Sequence, residues 1–202
     1  MIAIVDYGVG NLFSLQCSLA STGHESVITG DASVLERAER ILLPGVGAFG
    51  DAAEKLRQSG LGEAVRRQAA AGKPLLGICL GMQMLLERSL EYGEHAGLGL
   101  IPGTAELIAV PDRKACKLPQ IGWNALHLTR PHPLLADIRE GDHVYFVHSY
   151  HGCRCGDAVI ATTDYGTTVT AAVARGNVMG TQFHPEKSGR VGLAILNAFC
   201  TL

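Results

Sequence analysis

The segment Pro74-Leu75-Leu76-Gly77-Ile78-Cys79-Leu80-Gly81-Met82-Gln83 constrains this chain more than any other. An apolar run enters Gly-x-Cys-x-Gly and continues into a helical pattern, the cysteine form of a nucleophile elbow. A side chain displayed on so tight a strand-to-helix turn sits on strained backbone that its neighbours crowd. Glycines two before and two after, Gly77 and Gly81, remove the side chains that would collide. The Cys79 thiol then lies at the carboxyl edge of the sheet, where open α/β folds place their sites. The helix N-terminus beside it favours negative charge on sulfur. The backbone N–H of Leu80 is placed to donate to a developing oxyanion. Cysteine is often a small core residue, but a core strand has no use for two glycines around one.

An elbow needs an α/β sheet, and the first half of the chain alternates as one would. Strands are expected at Ile2–Asp6, His24–Ile28, Arg40–Leu43 and Lys73–Ile78, with helices over Leu12–Ser21, around Leu61–Ala71 and over Met82–Arg88. That alternation predicts a mostly parallel sheet covered on both faces. The second half carries Ala105–Ile108, Trp123–Thr129, Val144–Tyr150, Val159–Thr163, Val169–Ala174 and Val178–Phe183, separated by turn signals. These predict additional antiparallel strands. Gly189–Leu202 closes the chain as an amphipathic helix, with Val191, Ile195, Ala198, Phe199 and Leu202 on one stripe. With 202 residues and no linker, repeat or low-complexity segment, the expectation is one α/β domain over 1–202.

Hydrophobic residues make up 47% of the chain and charged residues 18%, as a doubly covered sheet requires. A net charge of −2 gives no support to a nucleic-acid or anionic-membrane partner. The first residues lack a basic, signal-like region, and no apolar run approaches the roughly 18 residues of a membrane span. The expected location is the cytoplasm, with the six cysteines as reduced thiols. His151-Gly152-Cys153-Arg154-Cys155 invites a metal reading, but no second ligand pair stands at a structural-zinc spacing. No metal or cofactor is expected.

A thiolate needs a partner that shuttles the leaving group's proton. Among eight histidines the best placed is His184 in Phe183-His184-Pro185-Glu186, at the end of a strand. A carboxylate two residues on, Glu186, would fix its tautomer and stabilise its charged form. On these residues alone, a strand-terminating His184 with a solvated Glu186 fits equally well. His148 could contact a ligand or serve the scaffold. Leu42-Leu43-Pro44-Gly45-Val46-Gly47-Ala48-Phe49-Gly50 could offer bare N–H groups to an oxyanion or could be an ordinary turn. Gly8-Val9-Gly10 lacks the third glycine of a dinucleotide fingerprint, Phe13 standing in its place.

Gly-Ile-Cys-Leu-Gly-Met-Gln with a downstream Phe-His-Pro-Glu resembles the class I (triad) glutamine amidotransferases. Asp6–Leu12, Pro44–Phe49, Ile121-Gly122-Trp123-Asn124, Tyr145–Tyr150 and Phe183–Ser188 narrow the likeness to glutaminase subunits of imidazole glycerol phosphate synthases. The resemblance spans essentially the whole chain. It implies Cys79, His184 and Glu186 as the triad, and an oxyanion hole from Val46, Gly47 and Leu80. It implies a glutamine site of Gly47, Gln83, Glu91, His148, Ser149 and Tyr150, with Glu91 assigned by its spacing after the elbow. It further implies a heterodimer with a (β/α)₈-barrel cyclase that receives the ammonia, with Asn11, Trp123, Asn124, Tyr145 and Lys187 on the interface side. The chain departs from the family at Gln120, where histidine is expected before Gly-Trp-Asn; glutamine keeps hydrogen-bonding capacity but cannot become cationic. Cys153 and Cys155 are not called for by the family pattern either. A glutaminase subunit of another pathway, such as vitamin B6 synthesis, and a non-catalytic module that kept the fold are the competing readings. The Gly-Asn-Leu and Gly-Trp-Asn segments argue against the first, and retention of all three triad residues against the second.

Overall fold

The computed structural model describes residues 1–112, 114 and 116–202. In chain order the strands are β1 (Ile2–Val5), β2 (Ser26–Thr29), β3 (Arg40–Gly45), β4 (Leu75–Cys79), the two-residue β5 (Arg88–Ser89) and β6 (His95–Ala96), and β7 (Thr104–Leu107). They continue as β8 (Gln120–Ala125), β9 (His127–Leu128), β10 (His143–His148), β11 (Tyr150–Cys153), β12 (Val159–Asp164), β13 (Thr168–Arg175) and β14 (Val178–Thr181). The helices are α1 (Leu12–Ser21), α2 (Ala32–Arg37), α3 (Phe49–Gln58), α4 (Leu61–Ala70), α5 (Leu80–Leu85) and α6 (Gly189–Thr201).

The main sheet has eight strands in the order β2-β1-β3-β4-β14-β13-β12-β9. The pairings from β2 to β14 are parallel and those from β14 to β9 antiparallel. This is the α/β fold the alternation predicts, with the antiparallel strands of the second half added to one edge. β11-β7-β5-β6 form a second, four-stranded sheet, and β10 pairs with β8 in a two-stranded ribbon.

Side-chain alternation explains why both faces of the main sheet are covered. On β1, Ala3 and Val5 pack with Leu56 and Val65 of α3 and α4, while Ile2 and Ile4 pack with Leu15 of α1 and Phe199 of α6. These side chains are almost wholly removed from water, a gain of about 1.5–3 kcal/mol for each large one. Among the described residues no helix is long and apolar enough to cross a membrane.

The periodicity places α1 correctly at both ends, whereas several other elements are shifted. α5 starts at Leu80 and stops at Leu85, because Leu86 turns to extended backbone and Arg88 joins a strand. The buried stripe of α6 is Gly192, Ile195, Leu196, Phe199 and Cys200, whereas Leu202 lies exposed at the end. Two helices, α2 and α3, lie outside the segments that the periodicity marks. α2 is short and capped by Asp31, whose carboxylate accepts from the Ser33 N–H at 2.8 Å.

Candidate active site

Cys79 ends β4 and caps α5 with φ +56° and ψ −111°, a conformation rare for a residue with a side chain. The neighbouring glycines leave no choice. A Cβ on Gly77 would stand 2.6 Å from the Gly81 carbonyl oxygen, and one on Gly81 would collide with the carbonyl of Leu43. The elbow is therefore a place where α5 lies directly on the backbone of β3. Tyr7, beyond β1, closes it from below: its hydroxyl donates to the Pro44 carbonyl at 2.9 Å. Burial first, and the nearby Cys79 sulfur second, push that phenol well above its ordinary range.

β14 lies next to β4, so the chain beyond Thr181 arrives beside the elbow. His184 is 3% exposed and its Nδ1 lies 2.8 Å from Glu186 Oε1, whose side chain is 4% exposed. Glu186 is thus buried on the imidazole rather than solvated. Nε2 of His184 makes no hydrogen bond among the described residues, yet Cys79 is close enough to act on its charge. Burial opposes protonation of His184, but Cys79 and then Glu186 outweigh it and raise its pKa to about 9.

Cys79 and His184 open on a cavity of about 430 Å³ whose walls include Val46, Gly47, Leu80, Gln83, Glu91, His148, Ser149, Tyr150 and Lys187. That volume suits a ligand of amino-acid size. Every residue expected for the oxyanion hole and the glutamine site therefore lies on one cavity. Glu91 Oε2 accepts from the Phe49 N–H at 2.7 Å, which ties the loop between β5 and β6 to the start of α3. Gln83 Nε2 donates to the Tyr150 carbonyl at 2.8 Å and to Gln182 Oε1 at 3.0 Å, so only its own oxygen is left for a ligand. A larger cavity of about 880 Å³ lies beyond Glu91 and holds none of Cys79, His184 or Glu186.

His148 combines the two roles the sequence leaves open. Its Nδ1 sits 2.8 Å from the Tyr150 carbonyl, which must accept, so Nδ1 carries the proton and Nε2 is a bare acceptor. Among the described residues, five buried side-chain atoms have no hydrogen-bond partner: Ser26 Oγ, Gln120 Oε1, Glu186 Oε2, and the Nε2 atoms of His148 and His184, the two that belong to residues lining this cavity. Two unpartnered imidazole nitrogens on one cavity wall suit a ligand or proton movement. Burial pushes the His148 imidazole down to about 4; the Tyr150 carbonyl opposes this, and the charges of His151 and His184 add to it. A histidine held neutral in the fold takes up its proton only on unfolding. Its contribution is complete above pH about 6.5 and is lost as pH falls toward 4. The unfolding temperature should fall on acidification from pH 7 to 5, and more steeply in the wild type than in His148→Asn. Equal slopes would show that His148 is not held neutral.

Of the residues expected at an interface, Trp123, Tyr145 and Lys187 form a patch continuous with the cavity. Trp123 on β8 faces its register partner Tyr145 on β10, with ring centroids 6.0 Å apart. Lys187, which lines the cavity, holds its ammonium 5.8 Å from the Tyr145 ring centroid. Trp123 is 53% exposed and Ile121, on the same strand face, 60% exposed. Asn11 is exposed at the start of α1, and Asn124 accepts from Gln120 Nε2 at 3.0 Å. Gln120 is fully buried opposite His148, a scaffold position that charge would not suit. Sequence reasoning missed Gln182 and Tyr7, both within reach of the Cys79 sulfur. Among the described residues no group of three His, Cys, Asp or Glu side chains could hold a metal ion, and all six cysteines are free thiols.

The family model for glutamine amidotransferase class-I matches residues 3–201. The imidazole glycerol phosphate synthase subunit HisH of Sulfurimonas denitrificans is 50% identical, covering 98% of this chain and 97% of that protein. The protein of the same description from Wolinella succinogenes is 47% identical over 100% of both chains. Among solved structures, a crystal structure titled glutamine amidotransferase aligns with a TM-score of 0.76 at 20% identity, covering 99% of this chain and 100% of that one. PurLQS from Thermotoga maritima aligns with a TM-score of 0.76 at 21% identity, covering 99% and 97%. At these identities the structures speak for the fold, and the curated relatives for the branch. The chain is an enzyme of the class I glutamine amidotransferase family, in the branch of the imidazole glycerol phosphate synthase subunits HisH.

Proposed function

We propose that residues 1–202 act as one glutaminase domain in which Cys79 is the nucleophile, His184 the acid–base and Glu186 its orienting partner. The observation that carries this reading is His184, backed by the buried Glu186 carboxylate, opening with Cys79 on one cavity. The Cys79 proton passes to His184, and the thiolate attacks the side-chain carboxamide carbon of glutamine. The negative charge that develops on oxygen is met by the Leu80 N–H and the Val46–Gly47 loop. The carbon–nitrogen bond breaks as His184 returns a proton to the leaving nitrogen, giving ammonia and a thioester. Water then gives its proton to His184, attacks the thioester and releases glutamate and the thiolate. Gln83 and Glu91 offer acceptors to the substrate ammonium group, and His148, Ser149 and Tyr150 complete the grip together with Gly47.

The ammonia passes to a (β/α)₈-barrel cyclase subunit docked on the face of Asn11, Trp123, Asn124, Tyr145 and Lys187. The heterodimer turns a phosphoribulosyl aminoimidazole carboxamide into imidazole glycerol phosphate and an aminoimidazole carboxamide ribotide for histidine biosynthesis. Exposed apolar side chains beside the cavity support this docking face. Glutamate release from glutamine, measured for the chain alone and with the cyclase plus its ligand, tests the whole reading. A low rate alone that rises steeply with the liganded partner is expected. Equal rates would remove the partner, and no glutamate under either condition would remove the chemistry.

A further inference from the structure

Gln182 is fully buried and takes part in no step of the proposed reaction. The parallel register of β14 with β4 pairs Thr181 with Ile78, so the next residue, Gln182, comes level with Cys79. Its backbone N–H is fixed on the Ala171 carbonyl at 2.8 Å. Its carboxamide spans the gap between α5 and the sulfur: Oε1 is 3.0 Å from Gln83 Nε2, and Nε2 is 3.8 Å from Cys79 Sγ.

Which end of each amide points where follows from one backbone carbonyl. The oxygen of Tyr150 can only accept, so the Gln83 atom 2.8 Å from it must be nitrogen. That nitrogen has one hydrogen left, which makes its second partner the oxygen of Gln182. The Gln182 amide nitrogen is then turned to the sulfur. A thiol accepts such a bond weakly and a thiolate strongly, so the contact stabilises the two states unequally.

We propose that Gln182 is a positioning residue for the nucleophile, its N–H aimed by the chain Tyr150 carbonyl–Gln83–Gln182 so that Cys79 sulfur is held in place and drawn toward the thiolate. The inference rests on Cys79 being the nucleophile. Titratable groups near the sulfur are His184 with Glu186 behind it, Tyr7 beyond β1, His148 on β10, Tyr150 on β11, and Glu91 and Lys187 on the cavity wall. Gln182 differs from all of them in carrying no titrating proton, so replacing it with another neutral side chain changes the sulfur's environment without adding or removing a proton.

The test is the rate of iodoacetamide alkylation at Cys79, followed by peptide mapping from pH 5 to 9, with exposed Cys17 as the internal reference. Gln182→Met keeps the volume and removes the hydrogen bonds. Gln182→Asn keeps a neutral carboxamide but shortens it by one methylene, which withdraws the donor from sulfur. At pH 7 both variants should alkylate about tenfold more slowly than the wild type. Their pH profiles should move upward while the Cys17 rate stays constant. Should Gln182→Met fail to fold, Gln182→Asn decides alone. Unchanged Cys79 profiles in the folded variants would overturn this inference and leave the nucleophile assignment standing. A wild-type Cys79 profile whose midpoint lies no lower in pH than that of Cys17 would overturn both.

Discussion

Cys79→Ser is expected to abolish glutamate formation, by a factor of about 10⁴ or more, while leaving the fold and partner association intact. The argument for lost activity is electronic. The thiol can hand its proton to an imidazole whose pKa is raised to about 9 and so become the nucleophile at neutral pH. A serine hydroxyl in the same place is far harder to ionise, and nothing else on the cavity wall replaces it. The argument for an intact fold is geometric. Oxygen is smaller than sulfur, the site is only 6% exposed, and serine meets the same backbone demand at φ +56° as cysteine does. Association is spared because Trp123 and Tyr145 sit on the β8–β10 ribbon, outside the elbow. Glutamate release, thermal unfolding and calorimetric titration with the cyclase would be read on one preparation. Activity within tenfold of wild type would take Cys79 out of the chemistry.

The elbow is legible in the sequence because its chemistry is local: the glycines, the cysteine and the apolar strand are contiguous. His184 and Glu186 are legible only as a motif. Whether Glu186 is solvated or buried on the imidazole depends on the packing of the turn before α6, which the sequence does not encode locally. α3 is hidden by the glycine-rich segment that precedes it. That segment reads as loop, although Phe49, Ala52 and Leu56 already show the helical spacing and are the residues buried. β5 and β6 are two residues long and carry no period to detect. Gln182 has no signal at all. Its importance comes from the register of two strands that lie about a hundred residues apart in the chain, and register is a property of the pair. Gln120 shows the opposite limit. Its departure from the family is visible in the sequence, but only its burial opposite His148 shows it as a scaffold position.

Gly81→Ala should be the most damaging single methyl group in the molecule, costing about 4 kcal/mol or more in denaturant unfolding. The added Cβ would fall on the Leu43 carbonyl oxygen, and the atoms next to it are the Leu43 carbonyl carbon and the Pro44 backbone. None of these is the end of a flexible side chain. Leu43 is in the parallel ladder between β3 and β4, in register with Gly77, so it cannot retreat without breaking strand pairing at the centre of the sheet. Moving α5 instead would carry Leu80 and its N–H away from the cavity, so whatever relieves the collision also dismantles the site. Gly8→Ala is the control. Gly8 has φ +82° and nothing within 4 Å of where an added methyl would sit, so the change should cost only the left-handed strain of about 1–2 kcal/mol. If the two variants unfolded at the same denaturant concentration, α5 would have to stand farther from β3 than the Gly81–Leu43 approach allows. The strained backbone at Cys79 would then have no cause, because it is the close approach of that helix to that strand that turns the sulfur into the cleft.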